Sequence, residues 1–307
     1  MILSRCSSLH ELRVSEKMSL NAPIKEKRIT SPPNNPVNVY KGLREGLVPF
    51  IGISVALPLD AVAKIMCEMH FLPGKTPLIR APTLRQQIAN SVLLLTSPMD
   101  GSVTEALYHS PSGQPLPVLG YIKSFLYKFQ LKERALIFCL APRDAEEVAA
   151  ALGCGYYHTE IEEEAKKLLM DSCREGEVKA LAATSAPGVG FHCDEVKLVI
   201  HYGKPRNIFD FMQESGQAGG GLSLAYSTVM WDPRKPEEWL APNHDDLGRR
   251  KMTEYLKTNK CPHICLGMNI DGEAAPRSCN KDGTAVLCDW CEIELVDAPV
   301  VSLQTQS

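Results

Sequence analysis

Two stretches of the chain hold residue types that could do chemistry. Near the end, five of the eleven cysteines crowd into Cys261 to Cys291. Cys288-Asp-Trp-Cys291 is a C-x2-C knuckle whose two thiolates can share one tetrahedral ion, and Cys261 and Cys279 offer the two further sulfurs of a closed structural zinc site. Cys265 rivals Cys261 for its place, and four unliganded thiols are the alternative to any metal. In the middle of the chain, Ala182-Ala-Thr-Ser-Ala-Pro-Gly-Val-Gly190 lies between two apolar runs, 178–183 and 196–202. Thr184 and Ser185 offer hydroxyls, and small residues at Gly188 and Gly190 let backbone N–H groups approach a phosphate. Taken alone, this loop reads first as a glycine turn joining strand to helix. A third candidate fails. Gly74-Lys75-Thr76 matches the tail of a phosphate-binding loop, but the required first glycine falls at Met69, and Pro77 and Pro82 block the helix that must follow.

Composition bounds the rest. The 307 residues, with 44% hydrophobic content, can bury a core in one large or two ordinary domains. No apolar run reaches the length of about 18 residues that a membrane helix needs, and the start, Met1-Ile-Leu-Ser-Arg-Cys, is too short and polar for a signal core. An intracellular chain with no membrane partner is therefore expected, its cysteines serving as metal ligands or buried thiols rather than a disulfide framework. The formal net charge of −3 gives no global attraction for nucleic acid, so any contact must be local. The cations of Arg249, Arg250 and Lys251 lie on an expected helix over 247–257, as a solvated face or as phosphate contacts.

Those residues need a frame, and periodicity supplies one. Residues 1–37 mix Ser, Lys, Glu, Asn and Pro without apolar period and read as a disordered leader, with 25–28 a solvated charge run. Residues 97–120 are rich in Ser, Pro and Gly and read as a loop or insertion, since Pro111, Pro115 and Pro117 exclude regular structure. A helix is expected over 121–130, a buried strand over 134–140, and a helix over 144–152 with Asp144 as N-cap and Gly153 as stop. Strands follow at 178–183, 196–202 and 222–230. The fold class is α/β: a parallel sheet flanked by helices, followed by a small helical zinc-binding subdomain.

In order and content these segments closely resemble the C-terminal portion of RecQ-type DNA helicases of superfamily 2, over roughly residues 45–292. The strand near Ile137 resembles motif IV, Ala183-Thr184 through Gly190 resembles motif V, and Gln213 through Gly219 resembles motif VI, normally Q-E-x-G-R-A-G-R. Ser54-Val-Ala-Leu-Pro58 resembles motif III with Ala56 in place of Thr, and Leu78-Ile-Arg-Ala-Pro-Thr-Leu-Arg85 resembles the crossing between motor domains. The cysteine segment is similar to the fungal-type variant, with Asn269-Ile-Asp-Gly272, Cys279 and Cys288-Asp-Trp-Cys291, while Pro262 and His263 replace two arginines.

The resemblance implies a remnant of a first RecA-like domain at 38–96, a second RecA-like domain at 121–235, a zinc-binding subdomain at 236–295 and a tail at 296–307. It also implies a nuclear, ATP- and Mg²⁺-dependent 3'-5' DNA helicase of repair and recombination, with DNA as partner. Gln213 and His192 would face nucleotide, although the nucleotide-sensing aspartate expected near His192 is missing and Pro187 stands for the usual Phe. Gln217 and Gly220 occupy both motif VI arginine positions, while Gln213 and Glu214 persist. No G-x-x-x-x-G-K-[ST] or Asp-Glu-x-His occurs in the chain. The expectation is a truncated C-terminal fragment without ATPase activity. The alternatives are a non-catalytic nucleic-acid or protein-binding module derived from a helicase, and a decayed gene fragment.

Overall fold

A computed structural model of the chain describes residues 84–98, 102–103, 105–109, 114–184, 195–220, 224–234, 247–272, 278–281 and 285–296, with short pieces at 14–15, 26–27, 62–63, 66–67 and 78–79. The chain divides into two compact units, residues 1–83 with 269–272, and residues 84–268 with 273–307. In the first, β1 (Val14–Ser15) pairs antiparallel with β2 (Glu26–Lys27). This corrects the expectation of an unstructured leader at these four residues. Backbone pairing needs no apolar period, the signal that the sequence lacks there.

The second unit is built on an eight-stranded sheet in the order β5-β4-β3-β10-β9-β6-β8-β7. Its parallel part comprises β3 (Ile88–Thr96), β6 (Arg134–Cys139), β7 (Gly155–Tyr157), β8 (Ala180–Ala183), β9 (Val196–Tyr202) and β10 (Ala225–Trp231). All six residues of β6 are buried, as a strand covered on both faces must be. Successive side chains go to opposite faces. Ala135, Ile137, Leu198, Ile200 and Met230 join Val118, Ile122, Ala145 and Val148 from helices α1 (Val118–Lys128) and α2 (Pro142–Leu152). Leu136, Phe138, Leu181 and Val199 join Cys173, Leu169 and Met170 from α3 (Glu163–Glu175) on the other face.

Four expectations change. Residues 97–120 are not irregular, because β4 (Leu107–His109) and β5 (Pro115–Pro117) extend the sheet antiparallel to β3. The Val118 N–H donates to Ala106 O, so even-numbered positions face β4 and both prolines of β5 point outward, where a missing N–H breaks no ladder bond. Residues 88–96, assigned to a first-domain remnant, are instead a strand of the main sheet, paired in register with β10 from Ala225↔Ile88 to Trp231↔Leu94. Asp144 lies in the first turn of α2 but does not cap it; Ala141 is the N-cap, without a side-chain bond, and Pro142 supplies the preset φ of a helix start. Gly153 does end that helix, at φ 66°. The helix expected over 121–130 starts three residues earlier, at Val118.

Beyond β9 comes α4 (Ile208–Ser215), whose N-cap Asn207 accepts hydrogen bonds from Phe209 N and Asp210 N at 2.9 Å. Helices α5 (Leu247–Leu256), α6 (Pro262–Leu266) and α7 (Asp289–Val296) complete the unit. No described helix is long and apolar enough to cross a membrane.

Candidate functional site

Cys261 precedes α6, Cys279 opens a single 3-10 turn, Cys288 precedes α7 and Cys291 lies on it. The chain thus brings four buried cysteines together, with one sulfur from each within 4.8 Å of the others. The Sγ atoms of Cys261, Cys279 and Cys288 are 3.4–3.7 Å apart. Four sulfurs around one zinc at about 2.3 Å would stand about 3.8 Å apart, so the donor set fits a closed tetrahedral site. Backbone N–H groups of Cys279, Cys288 and Cys291 point at the sulfurs of Cys261, Cys279 and Cys288, at 3.2–3.5 Å. Such donors favour thiolates.

Without a cation the charges compete. The Cys288 thiol and nearby N–H groups lower the Cys261 pKa to about 4, whereas the bond to Cys261, together with burial, pushes Cys288 well above its ordinary range. Burial and the neighbouring thiols raise Cys291 to about 12. A dication removes this conflict by letting all four sulfurs carry charge. Zinc bound here would order the segment and leave no open position for a catalytic water. Cys265, on α6, lies outside the group.

The expected phosphate loop is only partly visible. Ser185, Gly188, Gly190 and His192 lie outside the described residues, as does Gly74-Lys75-Thr76. Thr184 follows β8, and its N–H donates to Tyr157 O at 3.1 Å. Beside it, at the carboxyl end of β7, the buried His158 bonds through Nε2 to Glu146 at 3.0 Å and stacks on Tyr156. Sequence reasoning missed His158, although Tyr156-Tyr-His158 at the end of a short strand was a usable signal.

Gln213 is half-buried on α4. Next to it, Glu214 bonds to His201 Nε2 of β9 at 2.9 Å, and Ser215 bonds to Ser227 of β10 at 2.8 Å. His201 stacks on Phe138 and leans on Phe211. Glu214 therefore fastens α4 to the sheet, a role that its position in the sequence did not reveal. Past the helix, Gly219 N donates to Val196 O at 3.0 Å and Ala218 O accepts from Arg85 at 3.1 Å. Gln217 is buried, while a Cβ placed on Gly220 would meet no atom of the described residues within 4 Å.

On α5, Arg250 is exposed, Arg249 and Lys251 are half-buried, and Met252, Tyr255 and Leu256 form the buried face. The Lys204 ammonium donates to Thr253 Oγ1 at 2.9 Å, which draws the loop after β9, with exposed Arg206, onto the same helix. Arg249, one turn before Thr253, lies on the flank that Lys204 reaches, while Arg250 points outward and Lys251 lies on the opposite flank.

Residues 118–220 match the family described as helicase conserved C-terminal domain. Over 199 residues the chain is 25% identical to the bifunctional 3'-5' exonuclease/ATP-dependent helicase WRN of Mus musculus, covering 58% of this chain and 14% of that protein. It is 25% identical over 171 residues to the ATP-dependent DNA helicase Q1 of Mus musculus, covering 52% and 25%. With the ATP-dependent DNA helicase hus2/rqh1 of Schizosaccharomyces pombe it shares 33% identity over 104 residues, covering 31% and 8%. The chain spans a quarter or less of the length of each of these relatives. The matched domain, the sheet that it builds and these relatives together support a helicase C-terminal region at residues 118–220, with RecQ-family helicases among the proteins that the chain is similar to.

Proposed function

We propose that this chain is a RecQ-type helicase region that binds nucleic acid, DNA in the first instance, and does not itself complete an ATP-hydrolysing site. The observation that carries the reading is the motif VI segment. Its helix is kept in place by Glu214–His201 and Ser215–Ser227, yet Gln217 and Gly220 stand where the resemblance puts two arginines. An arginine that stabilises charge on the transferred phosphoryl group is worth about 10³ to 10⁵ in rate, and neither Gln nor Gly can supply a cation. In this reading strand β3 and residues 121–235 form the motor-type domain, 236–295 the zinc-binding subdomain, and Thr184 with the cations of α5 the contacts to a sugar–phosphate strand. A nuclear location follows from the same kinship.

The rival reading is an ATP-driven 3'-5' helicase: the names of the relatives favour ATP-dependent helicase activity, and the direction comes from the RecQ resemblance alone. Phosphate release from ATP and Mg²⁺, with and without single-stranded DNA, separates the two. The expected result is no DNA-stimulated turnover by the purified chain, together with salt-sensitive DNA binding. DNA-stimulated turnover that Lys75→Ala abolishes would sink the proposal and reinstate Gly74-Lys75-Thr76 as a phosphate-binding loop.

A further inference from the structure

Strand β3 is an internal strand of the sheet for only part of its length. The Ala225 N–H donates to Gln87 O, so odd-numbered residues of β3 face β10 and even-numbered ones face the opposite edge. On that edge β4 pairs with Leu94 to Thr96 alone. Among the described residues, from Gln86 to Val92 that edge has local partners only at Ile88, whose N–H donates to Arg85 O and whose carbonyl accepts from the Asn90 side chain, and backbone groups left open on such an edge template pairing with another chain.

Three groups from the cysteine segment occupy that edge, each at an even position. Val286 N donates to Gln86 O at 2.8 Å, His263 Nε2–H donates to Ile88 O at 3.0 Å, and the Asp289 carboxylate accepts the Val92 N–H at 3.3 Å. All three residues are close neighbours of the cysteines in sequence: Val286 lies two before Cys288, His263 two after Cys261, and Asp289 directly after Cys288. Their placement is therefore set by whatever holds the four sulfurs together.

We propose that metal ligation by Cys261, Cys279, Cys288 and Cys291 closes the free edge of β3, with Asp289 and His263 as positioning residues that stand in for a missing strand. The segment is too short and too interrupted by Pro262, Gly267, Gly272, Pro276 and Gly283 to bury much apolar area alone, so ligation energy orders it. Loss of the metal then frees Val286, His263 and Asp289 together and opens β3 from Gln86 to Val92. Strands β6 and β9, internal to the sheet and buried on both faces, stay closed.

The inference rests on the metal reading of the four cysteines, and the experiment keeps the two separable. Zinc content of the purified chain is measured first, then amide hydrogen exchange is followed with and without a chelator. One zinc per chain is expected, with exchange of the Val92 amide, which faces Asp289, rising by about tenfold or more on chelation while the odd-numbered amides of Ala89 and Ser91, on the β10 side, and those of 134–139 and 196–202 stay protected. Asp289→Ala, which keeps all four thiolates, should retain zinc but lose protection at Val92. Asp289→Asn, whose side-chain oxygen can still accept, should keep it. Absence of zinc defeats the metal reading itself. Zinc binding with β3 exchange unchanged by chelation, or rising equally in β6 and β9, defeats the edge-closure proposal alone.

Discussion

Asp232, one residue past β10, has both carboxylate oxygens engaged. One accepts from the Arg234 backbone and Nε at 3.0 and 2.9 Å, and the other accepts from the second Arg234 nitrogen at 2.8 Å and from Ser97 N at 3.3 Å. The Arg234 guanidinium is the main cause that lowers its pKa to about 2. A carboxyl whose folded pKa lies below its unfolded value stabilises the fold above that unfolded value, and the contribution fades as pH falls from about 4 towards 2. Because the Arg234 side chain is 63% exposed, solvent screening holds the effect to about 1 kcal/mol. Urea unfolding of wild type and Asp232→Ala should differ by that amount at pH 6 and converge near pH 2–3. A gap independent of pH would show that the lost bonds, and not the charge, matter.

The cysteines make a second residue-scale prediction. Cys265→Ser should keep stoichiometric zinc, because its sulfur lies outside the convergent four, whereas Cys279→Ser should lose it. Elemental analysis of both variants decides, and the opposite pattern would move the site to Cys265. The knuckle at Cys288 and Cys291 was legible from spacing alone. The choice between Cys261 and Cys265 was not, since a short helix separates them and only its start places one sulfur inward.

At the scale of elements, strands were legible where apolar runs were continuous, as in β6 and β9. Strand β3 escaped because Asn90 and Ser91 interrupt its pattern. Asn90 is spent on a local bond to Ile88 O, and Ser91 joins a polar chain through Thr228 to the Tyr121 hydroxyl, at 2.9 and 3.0 Å. Burial is the chief reason that this phenol's pKa rises to about 12. The same chain ties α1 to β10 and β3, so polar residues inside a strand here report packing and not a break. Helix α3 was missed because its one-sided apolar stripe, from which Leu169, Met170 and Cys173 join the second core cluster, lies among seven charged residues of Glu163–Glu175.

Helix α4 depends on its cap. Asn207 satisfies two first-turn N–H groups and also donates to Asp210 at 2.7 Å. Asn207→Ala should cost about 1 kcal/mol, and Asn207→Ser should recover much of it. Chemical denaturation measures both. Equal loss in the two variants would mean that the Asp210 contact, which Ser cannot copy, dominates the cap.

For the whole molecule the question is whether an acidic chain can hold a nucleic-acid strand. The net charge of −3 is averaged over 307 residues, but α5 carries Arg249, Arg250 and Lys251 around its length and holds Lys204 through Thr253. So few cations can neutralise only a few phosphates. With about three to four contacts to a single strand, log affinity should fall with log salt at a slope of about −2 to −3. Contacts to phosphate carry no base information, so affinity should be indifferent to sequence. Arg250→Glu, at the exposed position, should weaken binding uniformly across sequences and flatten the slope by about 0.7. Fluorescence anisotropy with single-stranded oligonucleotides between low and moderate salt reads all three quantities. A wild-type slope corresponding to six or more phosphates would place the main basic surface elsewhere on the chain, and a slope untouched by Arg250→Glu would leave α5 as no more than a solvated face.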